Sequence, residues 1–245
     1  MWIPKWLGET YSELYTTFGT ETFTFEGAKR VLNMPENRLA VTFSRLNRRK
    51  ILTIFKRSVP RVYRLLDPEN FVLLASEKVK GVDIKQERYL KLVLDVFRES
   101  SKCFSLVSFA LYGSIARGTA KPESDLDILL ISDDFEGSIA SRIDKVVKVE
   151  EKVEEEIFWL MKHKIYPVPN FYPIRRFEAE QLPLLFLDLI EDAKIIYDED
   201  GFLRNLLNNL QARLVALGVK KVDLGDGSWY WDLKPDYKPM EGVDI

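Results

Sequence analysis

The chain has 245 residues, 46 % of them hydrophobic, and 36 Lys and Arg against 38 Asp and Glu, for a net charge of −2. That apolar content suffices for one large domain or two small ones. A single cysteine, Cys103, excludes intrachain disulfides and any cysteine-based zinc site. The longest apolar stretch, 182–190, contains Pro183 and Asp188 and is too short to span a bilayer.

The near-neutral total hides two opposite parts. Residues 1–80 carry 14 basic and 8 acidic side chains, a net of +6, while the remainder carries 22 against 30, a net of −8. A basic front and an acidic rear imply two domains with different partners, divided as 1–80 and 81–245. At the N-terminus Trp2, Ile3, Trp6 and Leu7 are broken by Pro4 and Lys5 and make no long apolar core. No signal peptide is therefore expected, and the expected compartment is the cytoplasm, with no membrane partner.

The elements follow in chain order. Phe25, Ala28, Val31 and Leu32 mark a short helix over 25–32, and Asn33-Met34-Pro35 a turn. Residues 36–50 form a longer helix with Leu39, Phe43 and Leu46 on one side and Arg38, Arg45, Arg48 and Arg49 elsewhere. Two strands, 51–55 and 61–66, are joined by the basic segment Lys56-Arg57-Ser58-Val59-Pro60. Helix, turn, helix and a basic-tipped hairpin resemble a winged helix-turn-helix domain. The resemblance implies that the second helix enters a DNA major groove with Arg45, Arg48 and Arg49 while Lys56 and Arg57 meet phosphate. Such cations supply affinity through counterion release more than sequence choice. Winged helices also serve as docking or dimerising modules, and every amphipathic helix has a charged outer face. Duplex DNA is the favoured partner, and a homodimer is expected by analogy.

A periodic helix over 85–101 (Tyr89, Leu90, Val93, Leu94, Phe97) opens the second domain, with Cys103 expected in the core before the next strand. Strands are expected at 104–112 and 124–132, then a long helix over 138–162 with Ile139, Ile143, Val146, Val153, Ile157 and Leu160 facing inward. Its acidic cluster, Glu150, Glu151, Glu154, Glu155 and Glu156, reads as a solvated face, and His163 as a surface or capping residue. A proline-broken strand over 164–174, a helix near 178–191, a strand at 194–197 and a helix over 202–217 closed by Gly218 complete the pattern. The aromatic tail from Gly227 to Asp236 reads as packing rather than base stacking.

The chemistry concentrates between Leu111 and Ile131. A strand ending at Tyr112 delivers Gly113 and Ser114 to the start of a short helix, where backbone N–H groups and a hydroxyl can hold phosphate oxygens. Alternation along the next strand puts Asp125 and Asp127 on one face. Two parallel carboxylates seat Mg²⁺, a hard cation that shares substrate phosphates. An ordinary turn and solvated strand starts account for each residue singly, but not for all together.

The segments Gly113-Ser114-Ile115-Ala116-Arg117-Gly118 and Ser124-Asp125-Leu126-Asp127-Ile128 resemble the nucleotidyltransferase superfamily that includes DNA polymerase beta, above all its minimal prokaryotic members. The resemblance implies an α+β domain with a mixed sheet flanked by helices. It also implies a nucleoside triphosphate substrate held by Gly113, Ser114, Arg117 and Ser124, and catalytic metal ligands Asp125 and Asp127. Arg117 either touches phosphate or braces the loop, with bracing favoured. The implied function is Mg²⁺-dependent transfer of a nucleoside monophosphate to a hydroxyl of a protein, such as a HEPN-type partner, or of a small molecule. The family's third carboxylate has no acid to match it in 164–174, where Asn170 stands, although Glu178 and Glu180 follow. The alternative is a DNA-binding regulator that senses nucleotide without turnover.

Overall fold

The computed structural model describes residues 3–80, 82–225 and 228–233. Its first part runs α1 (Lys5–Phe18), β1 (Thr22–Thr24), α2 (Phe25–Leu32), α3 (Glu36–Arg48), β2 (Leu52–Lys56), β3 (Val62–Leu65) and α4 (Pro68–Ala75). The hydroxyl of Thr24 caps α2 by accepting the Gly27 N–H at 3.2 Å. Asn33 ends that helix in the left-handed region at φ 44°, which an asparagine tolerates. The antiparallel strands order as β1-β3-β2, and their core is Leu7, Leu14, Leu39, Leu46, Leu52 and Leu65 around the rings of Phe23, Phe43 and Tyr63. Helix α1, whose buried face is Leu7, Tyr11 and Leu14, and the three-residue strand β1 were not anticipated.

The second part runs α5 (Leu90–Cys103), β4 (Leu106–Leu111), α6 (Gly113–Arg117), β5 (Leu126–Ser132), α7 (Ile139–Lys162) and β6 (Pro169–Ile174). It continues with α8 (Arg176–Glu180), α9 (Leu185–Asp192), β7 (Lys194–Asp198), α10 (Phe202–Ala216), β8 (Lys220–Asp223) and β9 (Trp229–Asp232). Four strands order as β6-β5-β4-β7 in a mixed sheet, with β5 and β6 parallel and the other pairs antiparallel. Strands β4 and β5 are largely apolar because both faces are covered. Phe109, Leu111, Ile128 and Leu130 pack toward α5 and α7, while Val107, Ala110, Leu129 and Ile131 pack toward α9 and α10. The expected α+β domain with a mixed, helix-flanked sheet is the observed one. Among the described residues no helix is long and apolar enough to cross a membrane.

Three local expectations are corrected. Cys103 is exposed at the last residue of α5, where the helix turns its Sγ outward toward Lys152 Nζ at 3.4 Å. Along α7 Val146, Val153 and Leu160 are buried as expected, but Ile139 and Ile143 are 44 % and 40 % exposed, and Arg142, Val149 and Glu156 are buried as well. The span near 178–191 is two helices, α8 and α9, separated by a bend at Leu182, whose φ is 53°.

The burial of Arg142 and Glu156 on α7 follows from two ion pairs. Glu178 draws in Arg142 with contacts of 2.6 and 3.0 Å. Glu156, expected on the solvated face, accepts both Arg64 Nη1 at 2.5 Å and Nη2 at 2.8 Å, and Lys91 Nζ lies 3.1 Å away. The Arg64 guanidinium also lies 3.3 Å over the Trp159 ring, which stacks on His163 and donates its indole N–H to Glu21. His163 caps the end of α7, in keeping with its expected role. Nearby, buried Glu87 accepts Asn47 Nδ2, Lys50 Nζ and the Ile54 N–H. Charged groups thus tie the first sheet to the second part of the chain. Leaving Arg64 and Lys91 without Glu156 strands buried charge, so Glu156→Ala should lose about 3–5 kcal/mol in urea unfolding. Exposed Glu155→Ala should stay within about 0.5 kcal/mol, and equal losses from the two would contradict the network.

Candidate nucleotidyl-transfer site

Strand β4 ends at Leu111, and the chain turns at Tyr112 into the short helix α6. Tyr112 keeps the sheet going for one more residue, donating its N–H to the Asp127 carbonyl at 3.1 Å. Gly113 then adopts φ +69°, in the left-handed region. A Cβ at this position would stand 2.2 Å from Asp127 Oδ2, so only glycine leaves room for that carboxylate. Ser114 follows, and its carbonyl accepts the Gly118 and Thr119 N–H groups at 3.0 and 2.9 Å, closing the helix in one turn.

Asp127 is half-buried at the start of β5, and Asp125 is exposed immediately before that strand. The two-residue period puts both on one side. Burial pushes the Asp127 carboxyl above its usual range, a hydrogen bond from Asn170 opposes this, and the charge of Asp125 adds to the rise. Burial also pushes the Tyr112 phenol up to about 12, with help from Asp127. The two neighbouring carboxylates feel one opposing influence of charge, from Arg117, which lowers Asp127. Their oxygen donors suit a hard divalent cation that retains several waters.

The parallel pairing of β5 with β6 sets Asn170 opposite Asp127, and its amide donates to Asp127 Oδ1 at 2.9 Å. Where a third acid would stand, the chain holds an amide. Glu178 does not replace it. It accepts Arg142 and the Arg175 N–H, which hold its carboxyl below the usual range, with Arg142 the larger influence. It follows Ile174, which pairs with Ile131, four residues along β5 from Asp127, or roughly 13 Å at strand rise. Glu180 is exposed on the same short helix. Among the described residues no group of three or more His, Cys, Asp or Glu is placed to hold a metal ion.

The remaining site residues divide. Arg117 pairs with Asp192 at 3.1 Å and lies 5.2 Å from the Trp229 ring centre, so it braces α6 against α9 and the C-terminal hairpin. Ser124 closes the loop before the aspartates, its Oγ accepting the Lys121 N–H at 2.9 Å. Arg45 and Arg48 are exposed on α3, Arg49 is partly covered, and Lys56 and Arg57 are exposed at the end of β2. None of these five joins the aspartates. In the aromatic tail, Trp229 and Trp231 direct their indole N–H groups to Asp188, which pins the hairpin to α9. Its residues 226, 227 and 234–236 lie outside the described residues. Lys85 was not anticipated; its side chain packs on Gly118, where a Cβ would stand 2.6 Å from Lys85 Cδ. It is a lone lysine in a linker, and only the fold brings it there.

A mixed sheet carrying a glycine turn against paired aspartates defines a nucleotidyltransferase architecture. The nucleotidyltransferase domain, as that family is defined, matches residues 90–197, from the start of α5 through Tyr197. A protein of Methanocaldococcus jannaschii that bears the name of a candidate protein adenylyltransferase is 31 % identical over 128 residues, covering 51 % of this chain and 83 % of the relative. The chain belongs to the nucleotidyltransferase superfamily. Two solved toxin–antitoxin structures, one with AMP-PNP and one of MntA-HpeT, align with 51 % of this chain and 92 % of theirs, at 14 % and 13 % identity and TM-scores of 0.34.

Proposed function

We propose that this protein moves a nucleoside monophosphate, AMP in the first instance, from the triphosphate to a hydroxyl of a protein acceptor, breaking the bond between the α- and β-phosphates and releasing pyrophosphate. The observation that carries the reading is the contact of Gly113 with Asp127, which brings the phosphate-binding turn and the metal-binding carboxylates together. The choice of AMP and of a protein acceptor is supported by the name of the M. jannaschii relative. A HEPN-type partner is the first acceptor to try.

The roles follow from the geometry. The turn at Gly113 and Ser114 binds the terminal phosphates through backbone N–H groups and the Ser114 hydroxyl. Asp125 and Asp127 would hold Mg²⁺, and the ion would supply positive charge to the phosphate oxygens. Asn170 orients Asp127 by its hydrogen bond and takes no proton. The acceptor hydroxyl therefore yields its proton to water or to a group that the acceptor itself carries. Arg117 keeps α6 in place through Asp192.

The first part of the chain supports a second element of the reading. Its sequence of helix, strand, two helices and hairpin, with the sheet ordered β1-β3-β2, supports reading it as a winged helix. We assign residues 1–80 to that module and 81–245 to the transferase. Exposed Arg38, Arg45 and Arg48 on α3 are its candidate contacts with duplex DNA.

Labelled ATP, Mg²⁺ and candidate acceptors test the transferase. Asp125→Ala with Asp127→Ala should reduce transfer at least about 10³-fold, the equivalent of ~4 kcal/mol. Nucleotide binding without transfer to any acceptor would overturn the enzyme and favour a nucleotide-sensing regulator, the reading that Asn170 supports. A duplex mobility shift tests the front: Arg45→Ala with Arg48→Ala should weaken it and flatten its salt dependence. A shift indifferent to salt and to both changes would remove the DNA assignment.

A further inference from the structure

A second charged feature lies beside the transfer site. Lys56 and Arg57 at the end of β2 face Lys85 and Arg88 across a cleft of about 220 Å³, with Ile54, Phe55 and Gln86 also lining it. Its one acid, Glu87, is already taken up by Lys50, Asn47 and the Ile54 N–H. Among the described residues none of the four cations forms an ion pair. Lys56, Arg57 and Lys85 are exposed, and the buried Nε of Arg88 has no hydrogen-bond partner. Four like charges around so small a space repel one another, and an anion entering it relieves that repulsion.

The cleft is fixed to the transfer site. Lys85 packs on Gly118, which closes the five-residue helix α6 that opens at Gly113. At helix rise, the two ends of α6 are roughly 8 Å apart. Gln86 grips the same loop with both ends of its amide, donating to the Ala120 carbonyl at 2.8 Å and accepting the Ala120 N–H at 3.0 Å. Part of the wall comes from the first module, so the cleft exists only with the two parts joined.

We propose that this cleft seats an acidic segment of the protein acceptor, one or two Asp or Glu side chains, and so holds the acceptor hydroxyl beside Ser114 and Asp127. The inference rests on the protein-acceptor reading above. The cleft's volume suits carboxylate side chains and is too small to admit a duplex.

Fluorescence anisotropy on the full chain tests it, with a labelled peptide of one serine and six glutamates and a twin carrying glutamines. The glutamate peptide should bind and the twin should not. Lys56→Glu with Arg57→Glu should weaken the peptide about tenfold or more, while a fluorescent ATP analogue binds as before. Lys56→Gln with Arg57→Gln, which removes charge without adding any, should give a smaller loss in the same direction. Equal binding of the twin, or peptide binding untouched by both variants, would overturn the proposal. A matching loss of ATP analogue would overturn it by assigning the cleft to the triphosphate. Loss of duplex DNA and peptide in parallel, with each displacing the other, would overturn it by assigning the cleft to nucleic acid. Failure of the wild-type chain to bind the ATP analogue is a separate result, counting against the nucleotide reading whatever the peptide does.

Discussion

The site depends on one close approach, that of the Asp127 carboxylate to the bare Cα of Gly113. With Oδ2 only 2.2 Å from where a Cβ would lie, the turn and the carboxylate occupy adjoining space on neighbouring strands. Their separation is set by the antiparallel pairing of β4 with β5, and both strands are locked by apolar layers on either face. A close-packed core resists displacement, so the turn and the aspartates move as one body. Preorganisation of this kind is what transfer chemistry needs, because the groups that stabilise developing charge are already in position.

The same rigidity extends beyond the transferase core. Arg64 reaches from the first sheet to Glu156, with Lys91 beside it and Trp159 stacked beneath the guanidinium. Glu87 makes a second tie by accepting groups from α3 and β2. Buried pairs of this sort contribute little net stability against an apolar replacement, but removing one partner is expensive. Their effect here is positional. They hold the β2–β3 hairpin against the linker that grips the loop after α6.

The site motif was legible because its chemistry is local: glycine, serine and two aspartates fall within fifteen residues, on strands that alternation identifies. The mixed sheet was legible for the same reason, since largely apolar runs mark strands covered on both faces. Burial of charge was not legible. Glu156 sits in a run of acids, and what brings it inside is Arg64, 92 residues away. Arg142 likewise enters the core because of Glu178, and that displaced Ile139 and Ile143 from their expected places. The cationic cleft was hidden too, because Lys56 and Lys85 come from separate elements with no shared period.

Asn170 makes the account sharp. It occupies the register position opposite Asp127 and donates its amide to that side chain, where a third acid would otherwise stand. The central claim is attack at the α-phosphorus. The most direct measurement compares ATP labelled at the α-phosphate with ATP labelled at the γ-phosphate, each incubated with Mg²⁺, the full chain and an acceptor protein. The account predicts label in the acceptor from the α position and none from the γ position. Acceptor labelled from the γ position would show phosphoryl transfer and contradict it.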